Sequence, residues 1–174
     1  MSAVLPPVLD SDRELLARVL DCYKPHCRYL ASFAVSQEEG VLRGAGVLEI
    51  PESCYIDDTG HLNSVEVNIC YNQMLYQVIA TAVRDGIGPV FDTWTMADFW
   101  RRRLPDVLIT RFSSVFRRPI DPRSFHGEFA LDSVRQRRLR PDADPLVSLE
   151  TSFRCWDEAG GACSGTAQVT IVGS

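Results

Sequence analysis

The sequence predicts an α+β domain in which an antiparallel β-sheet wraps around one long central helix. The first observation is a segment over residues 65–82 whose apolar side chains would face every side of a helix, so we expect protein all around it. The second is the order of elements, with two strand-like runs before this segment and four after it, joined by short connections. A doubly wound parallel sheet would need a helix between successive strands and is therefore excluded.

The elements before the central helix start with a loose lead-in over residues 1–9. Asp10 or Ser11 can then cap a short helix whose apolar residues have helical spacing, namely Leu15, Leu16, Val19 and Leu20. Two strands are predicted over residues 27–35 and 41–50, and the turn at 38–40 joins them into a hairpin.

The elements after the central helix start with a turn over residues 85–89, which is rich in glycine and proline. An aromatic segment over residues 91–104 predicts a short helix over the mouth or edge of the domain. The last four strands are predicted over 107–117, 124–138, 146–157 and 162–172, and Ala-Gly-Gly at 159–161 predicts a hairpin turn between the last two. An antiparallel sheet curled around one helix is the hot-dog architecture.

The composition fits this fold. The chain has 174 residues, so we expect a single domain over residues 1–174 with a core of its own. A hydrophobic content of 45% with 24% charged residues is typical of soluble globular proteins, and a net charge of −5 argues against nucleic-acid binding. Four amides interrupt the central helix before about 18 apolar residues accumulate, so no membrane span is expected.

The six cysteines show neither a Cys-x-x-Cys pair nor the spacing of a zinc site. The N-terminus also lacks the basic and apolar regions of a signal peptide. We therefore expect a cytoplasmic protein whose cysteines are small buried apolar groups, with no metal and no cofactor.

A polar cluster at the start of the central helix predicts the active site. Its members are Tyr55, Asp57, Asp58, His61, Asn63 and Glu66, of which the two aspartates are interpreted as turn residues. The helix start offers unpaired backbone N–H groups and the positive end of the helix dipole, which suit an oxygen that gains negative charge. His61 and Glu66 are the candidates for the general base, and the residues do not rank them.

His61 and Glu66 each have a structural interpretation as well. Asn63 and Glu66 have the spacing of a helix capping box, and the sequence alone does not separate a cap from a catalytic carboxylate. His61 could bond the backbone at the turn made by Gly60.

Three further polar residues also allow two interpretations. Asn72 would lie on an otherwise apolar helix, so its amide needs partners. It could tie the helix to a strand carbonyl, or it could orient water or the substrate carbonyl. Tyr23 and Tyr55 could donate their hydroxyl groups to substrate, or they could be core aromatics with a solvated tip.

Several segments closely resemble the FcoT-like hot-dog thioesterase family: Tyr55-Ile56, Thr-Gly-His-Leu-Asn-Ser-Val-Glu at 59–66, and Cys-Tyr-Asn-Gln at 70–73. Residues 27–30, 113–119 and 153–165 also match. The family includes long-chain fatty acyl thioesterases and (2E)-enoyl-acyl-carrier-protein glycyltransferases. In the latter, glycine adds to the β-carbon of an unsaturated acyl thioester, and hydrolysis releases an N-carboxymethyl-3-amino acid. The resemblance implies one of these two activities, of which we expect glycine addition followed by thioester hydrolysis, with the plain acyl thioesterase as the alternative. A non-catalytic acyl-binding module is the third interpretation.

The resemblance also implies site residues and partners. Tyr23, Tyr55 and Asn72 match positions of the thioesterase site in this family, and His61 and Glu66 match its Gly-His-x-Asn-x-Val-Glu run. Gly60 and Asn63, from the same run, are expected to bind substrate. The expected partners are glycine and a thioester of acyl carrier protein or coenzyme A, and hot-dog sheets that pair edge to edge imply a homodimer or a higher homo-oligomer.

A glycine substrate calls for an arginine, because a guanidinium group can bind both oxygens of a carboxylate. The candidates lie on predicted strands, and nothing in the sequence ranks them: Arg28, Arg43, Arg111 and Arg117.

Overall fold

Helix α1 (Arg13–Leu20) is the first element of the described residues. This computed structural model describes residues 12–138 and 140–173, so the predicted lead-in at 1–9 and the predicted caps Asp10 and Ser11 lie outside the described residues. The helix is capped by Asp12, whose Oδ1 accepts the N–H of Leu15 at 2.9 Å. Its four apolar residues are buried in the core as predicted.

The strands of the described residues form one six-stranded antiparallel sheet. Their bounds are Leu30–Glu38 (β1), Val41–Leu48 (β2), Val107–Arg118 (β3), Phe125–Arg137 (β4), Leu146–Trp156 (β5) and Ala162–Ile171 (β6). The order across the sheet is β1-β2-β4-β5-β6-β3, which leaves β1 and β3 at the two edges. The predicted hairpin turns at 38–40 and 159–161 are confirmed, with positive φ angles at Gly40 and Gly160.

The central helix α2 (Ser64–Asp85) is surrounded by protein along most of its length, as the apolar pattern predicts. It starts at Asn63 with a capping box and ends at Gly86, which has a φ of 62° in the left-handed region that glycine tolerates. Tyr71 on this helix packs against the rings of Phe112, Phe129 and Phe153 of the sheet. The hot-dog arrangement is therefore confirmed.

The start of β1 differs from the prediction. Residues Pro25–Cys27 form a 3-10 turn with proline at its first position, and the strand begins only at Leu30. The physical reason is the side chain of Gln73, which accepts the N–H groups of Tyr29 and Leu30 at 2.9 Å each and donates to the carbonyl of Cys27 at 2.6 Å. The central helix thus binds the backbone groups that a strand would have paired.

The segment between α2 and β3 contains two short helices where the aromatic pattern predicts one. A 3-10 helix (Phe91–Thr93) precedes α3 (Met96–Arg102), and both pack against α2. Arg103 stacks on Trp100 and donates to the last carbonyls of α1. None of the helices in residues 12–138 and 140–173 has the length and hydropathy of a membrane span.

Candidate active site

A polar cavity of about 450 Å³ lies at the start of α2. Its walls come from the loop between β2 and α2, the first turn of α2, the loop between β3 and β4, and the turn between β5 and β6. Three predicted site residues line it, namely Gly60, His61 and Glu66. The fold therefore brings both candidates for the general base to one cavity.

Backbone hydrogen bonds hold these loops together. Leu62 N–H donates to the carbonyl of Ile120 at 2.9 Å, and Ile50 N–H donates to that of Pro122 at 2.8 Å. The buried carboxylate of Asp157 accepts the N–H groups of Asp121 at 2.8 Å and Gly161 at 2.7 Å. Burial alone would raise the pKa of Asp157, but these backbone donors outweigh it and lower the pKa below its usual value. Asp157 is thus an ionised clamp between two walls of the cavity.

Glu66 is only 2% exposed, and its two carboxylate oxygens differ. Oε2 accepts the Asn63 side-chain amide at 2.7 Å and the Asn63 N–H at 3.4 Å, which completes the capping box. Oε1 is buried and has no hydrogen-bond partner among the described residues. Oε2 therefore caps the helix, as one of the two interpretations predicts, whereas Oε1 takes no part in the cap.

The first turn of α2 does not offer all the unpaired N–H groups that the sequence predicts. Asn63 Oδ1 accepts the N–H groups of Val65 and Glu66, each at 3.0 Å. The prediction is wrong for these two donors, because the cap satisfies them. The positive end of the helix dipole remains at the cavity.

His61 is exposed and held in one orientation. Its Nδ1 lies 3.0 Å from the carbonyl of Leu62, and since a carbonyl only accepts, Nδ1 is the donor. A neutral imidazole then has its lone pair on Nε2, so this nitrogen can accept a proton. The turn before it is ordered by Gly60, whose N–H donates to Asp58 Oδ1 at 2.7 Å and whose φ is 74°.

Comparison with known proteins decides the family. Residues 18–171 match the FcoT-like thioesterase domain. The chain belongs to the FcoT-like thioesterase family. It is 52% identical over 162 residues to a (2E)-enoyl-[ACP] glycyltransferase of Streptomyces coeruleorubidus, covering 93% of this chain and 98% of that protein. It is 36% identical over 162 residues to a (2E)-enoyl-[ACP] glycyltransferase of Mycobacterium tuberculosis (strain ATCC 25618 / H37Rv), covering 91% and 86%.

Solved structures show the same fold at low sequence identity. A mutant thioesterase of Pseudomonas aeruginosa aligns with a TM-score of 0.51 at 9% identity, covering 98% of this chain and 96% of that one. A virulence protein of Campylobacter jejuni aligns with a TM-score of 0.51 at 10% identity, covering 92% and 97%. These likenesses agree with the hot-dog fold of the FcoT-like chain.

Three residues that match the FcoT-like thioesterase site do not line the cavity of the single chain. Tyr55 is 53% exposed, while Tyr23 is half-buried near Tyr76, where burial raises its pKa well above the ordinary value. Asn72 donates to the carbonyl of Asn68 at 2.9 Å on its own helix, so the predicted alternative of a bond to a strand carbonyl is wrong.

The four arginines that the sequence offers as partners for the glycine carboxylate also lie outside the cavity. Arg28 pairs with Asp21 at 3.6 Å, Arg43 pairs with Glu38 at 3.6 Å on the sheet, and Arg111 and Arg117 are exposed on β3.

The arginine that does line the cavity is Arg123, in the loop between β3 and β4. Arg123 is not among the arginines predicted from the sequence, because those four lie on predicted strands and Arg123 does not. The sequence does contain a pattern that favours Arg123, because Pro119 and Pro122 before it mark a loop. Loops carry binding residues more often than strands do.

Proposed function

We propose that this protein adds glycine to the β-carbon of a (2E)-enoyl thioester on an acyl carrier protein and then hydrolyses the thioester. The observation that carries the proposal is the cavity at the start of α2 that His61 and Glu66 both line, with Glu66 Oε1 buried and without a partner among the described residues. The glycyltransferase of S. coeruleorubidus, at 52% identity, supports this choice of substrates.

In the addition step, the ammonium group of glycine transfers a proton to His61 Nε2. The neutral amine then attacks the β-carbon, and the electrons of the carbon–carbon double bond move to the thioester oxygen as an enolate. The imidazolium of His61 then gives its proton to the α-carbon and the thioester carbonyl re-forms. The new carbon–nitrogen bond leaves the adduct as a secondary ammonium, and His61 is neutral again for the hydrolysis step. Glu66 stabilises the imidazolium of His61 and the ammonium group of the adduct, and the dipole of α2 stabilises the enolate.

In the hydrolysis step, His61 takes a proton from water, whose oxygen attacks the thioester carbonyl. The tetrahedral oxyanion collapses, the carrier thiolate leaves, and the imidazolium returns a proton to it. The product is an N-carboxymethyl-3-amino acid. One base and one helix dipole thus serve both steps.

We propose that the working enzyme is a homodimer in which β3 pairs edge to edge with its copy. Three large apolar residues on this edge strand are exposed: Leu108 at 48%, Val115 at 57% and Phe116 at 37%. An exposed edge strand of this kind is a template for pairing. We further propose that Tyr23, Tyr55 and Asn72, which lie outside the cavity of the single chain, contact the acyl thioester in the homodimer.

We also propose a cytoplasmic location. All six cysteines are unpaired in the structure, which suits a reducing compartment.

Mass analysis of products tests the proposed reaction. The protein is incubated with crotonyl and longer 2-enoyl thioesters of acyl carrier protein, with and without isotopically labelled glycine. We expect a labelled N-carboxymethyl-3-amino acid. Free enoic acid alone, formed at a rate independent of glycine, would contradict the proposal and indicate a plain thioesterase.

A further inference from the structure

The charges around the cavity complement a small zwitterion. Six carboxylates line it: Glu52, Asp57, Asp58, Glu66, Asp121 and Asp157. Among the described residues of its lining, Arg123 is the only arginine and His61 the only histidine. A surplus of negative charge favours an ammonium group and disfavours a phosphate, while a single guanidinium offers one position for a carboxylate.

Arg123 is free to bind such a carboxylate. Its backbone is fixed, because its N–H donates to Asp121 Oδ1 at 3.0 Å and the preceding Pro122 carbonyl accepts the Ile50 N–H at 2.8 Å. Its side chain makes no hydrogen bond or ion pair within residues 12–138 and 140–173. By contrast, Arg28 and Arg43 already pair with acidic side chains.

Glu66, which lines the cavity, has a buried Oε1 without a hydrogen-bond donor among the described residues. A buried carboxylate oxygen without a donor is unfavourable, so an N–H group from a ligand would gain a strong charge-assisted bond there. Ser53 Oγ, also buried and without a partner among the described residues, lines the same cavity. Two residues with an unsatisfied buried oxygen, Glu66 and Ser53, therefore line the same cavity as Arg123.

We propose that Arg123 binds the carboxylate of glycine while Glu66 Oε1 accepts a hydrogen bond from its amine. This inference rests on the proposed function and adds the residue that recognises the second substrate. Arg123 holds the nucleophile by the end that does not react, which leaves the amine directed at Glu66 and His61.

The test is steady-state kinetics of Arg123→Gln with varied glycine and varied enoyl thioester. Loss of a charge-assisted carboxylate contact should raise the KM for glycine roughly 10- to 150-fold, with kcat and the KM for the thioester nearly unchanged. Arg123→Lys should recover part of the effect. Arg137→Gln, on the exposed end of β4, is the matched control and should behave like the wild type.

A second readout uses glycinamide, which has the amine but lacks the carboxylate. The wild-type protein should prefer glycine over glycinamide, and Arg123→Gln should lose most of that preference. An unchanged KM for glycine in Arg123→Gln, or equal losses toward both substrates, would overturn this role for Arg123. If the wild-type protein forms no glycine adduct at all, the proposed function itself fails.

Discussion

Two buried polar side chains on the central helix, Glu66 and Gln73, differ in how fully they are hydrogen-bonded. Gln73 is fully buried and uses both ends of its amide on the backbone around β1. Glu66 is 2% exposed, yet Oε1 has no partner among the described residues. A fully satisfied buried group holds the fold together, whereas an unsatisfied one needs an explanation, and beside a cavity the explanation that we propose is a ligand. Gln77 Oε1 is also without a partner among the described residues, but Gln77 does not line that cavity.

The largest expected effect is on catalysis, from His61→Ala. Removing the proposed general base should lower the rates of both glycine addition and thioester hydrolysis roughly a hundred- to ten-thousand-fold. The melting temperature should stay near that of the wild type, because His61 is exposed. The two rates are measured separately, with the exposed His26→Ala as control. Normal rates in both assays would show that His61 is not the base.

The next effect is on stability, from Gln73→Leu. Three backbone groups, two of them in buried hydrogen bonds, would lose their partner, so we expect the free energy of unfolding to fall by roughly 2–5 kcal/mol. Urea denaturation measures this. Gln77→Leu is the matched control and should change the free energy of unfolding far less, since it removes an oxygen without a partner. Equal effects of the two substitutions would contradict the structural role of Gln73.

Glu66→Gln should lower the rate of glycine addition more than it lowers stability. The amide oxygen can still accept from Asn63, so the cap survives and we expect a loss of stability below about 1 kcal/mol. Glycine addition should fall roughly 10- to 100-fold, because an N–H donor replaces the charged acceptor in the cavity. Parallel rate and denaturation measurements separate the two quantities. A variant that loses stability but keeps its rate of addition would make Glu66 a cap alone.

The smallest effect concerns the pH dependence of stability through Asp157. Its pKa is lowered in the folded state, so its contribution to stability is complete above its ordinary value of 3.8 and is lost as pH falls toward the folded pKa. The free energy of unfolding should therefore decline below about pH 4, and Asp157→Asn should reduce that slope. Identical slopes for both proteins between pH 2 and 5 would contradict the clamp.

The sequence predicts those parts of the molecule whose cause is local. The apolar surround of α2, the capping box at Asn63 and the hairpin glycines all follow from short patterns, and each is present. The start of β1 could not be predicted, because Gln73 reaches it from a position more than forty residues away. Arg123 could not be ranked for the same reason, since only the folded loops bring it beside His61 and Glu66.

The helix cap lowers the entropy that Glu66 would lose on binding a substrate. Because Oε2 is tied to Asn63, the side chain of Glu66 is immobilised before any substrate arrives. Ordering a free side chain of this length on binding would cost about 0.5–1.5 kcal/mol, and here folding has already met that cost. Asn63→Ala should therefore weaken glycine binding, although Asn63, which the sequence predicts to bind substrate, does not line the cavity. The helix cap thus also sets how rigid the proposed binding site is.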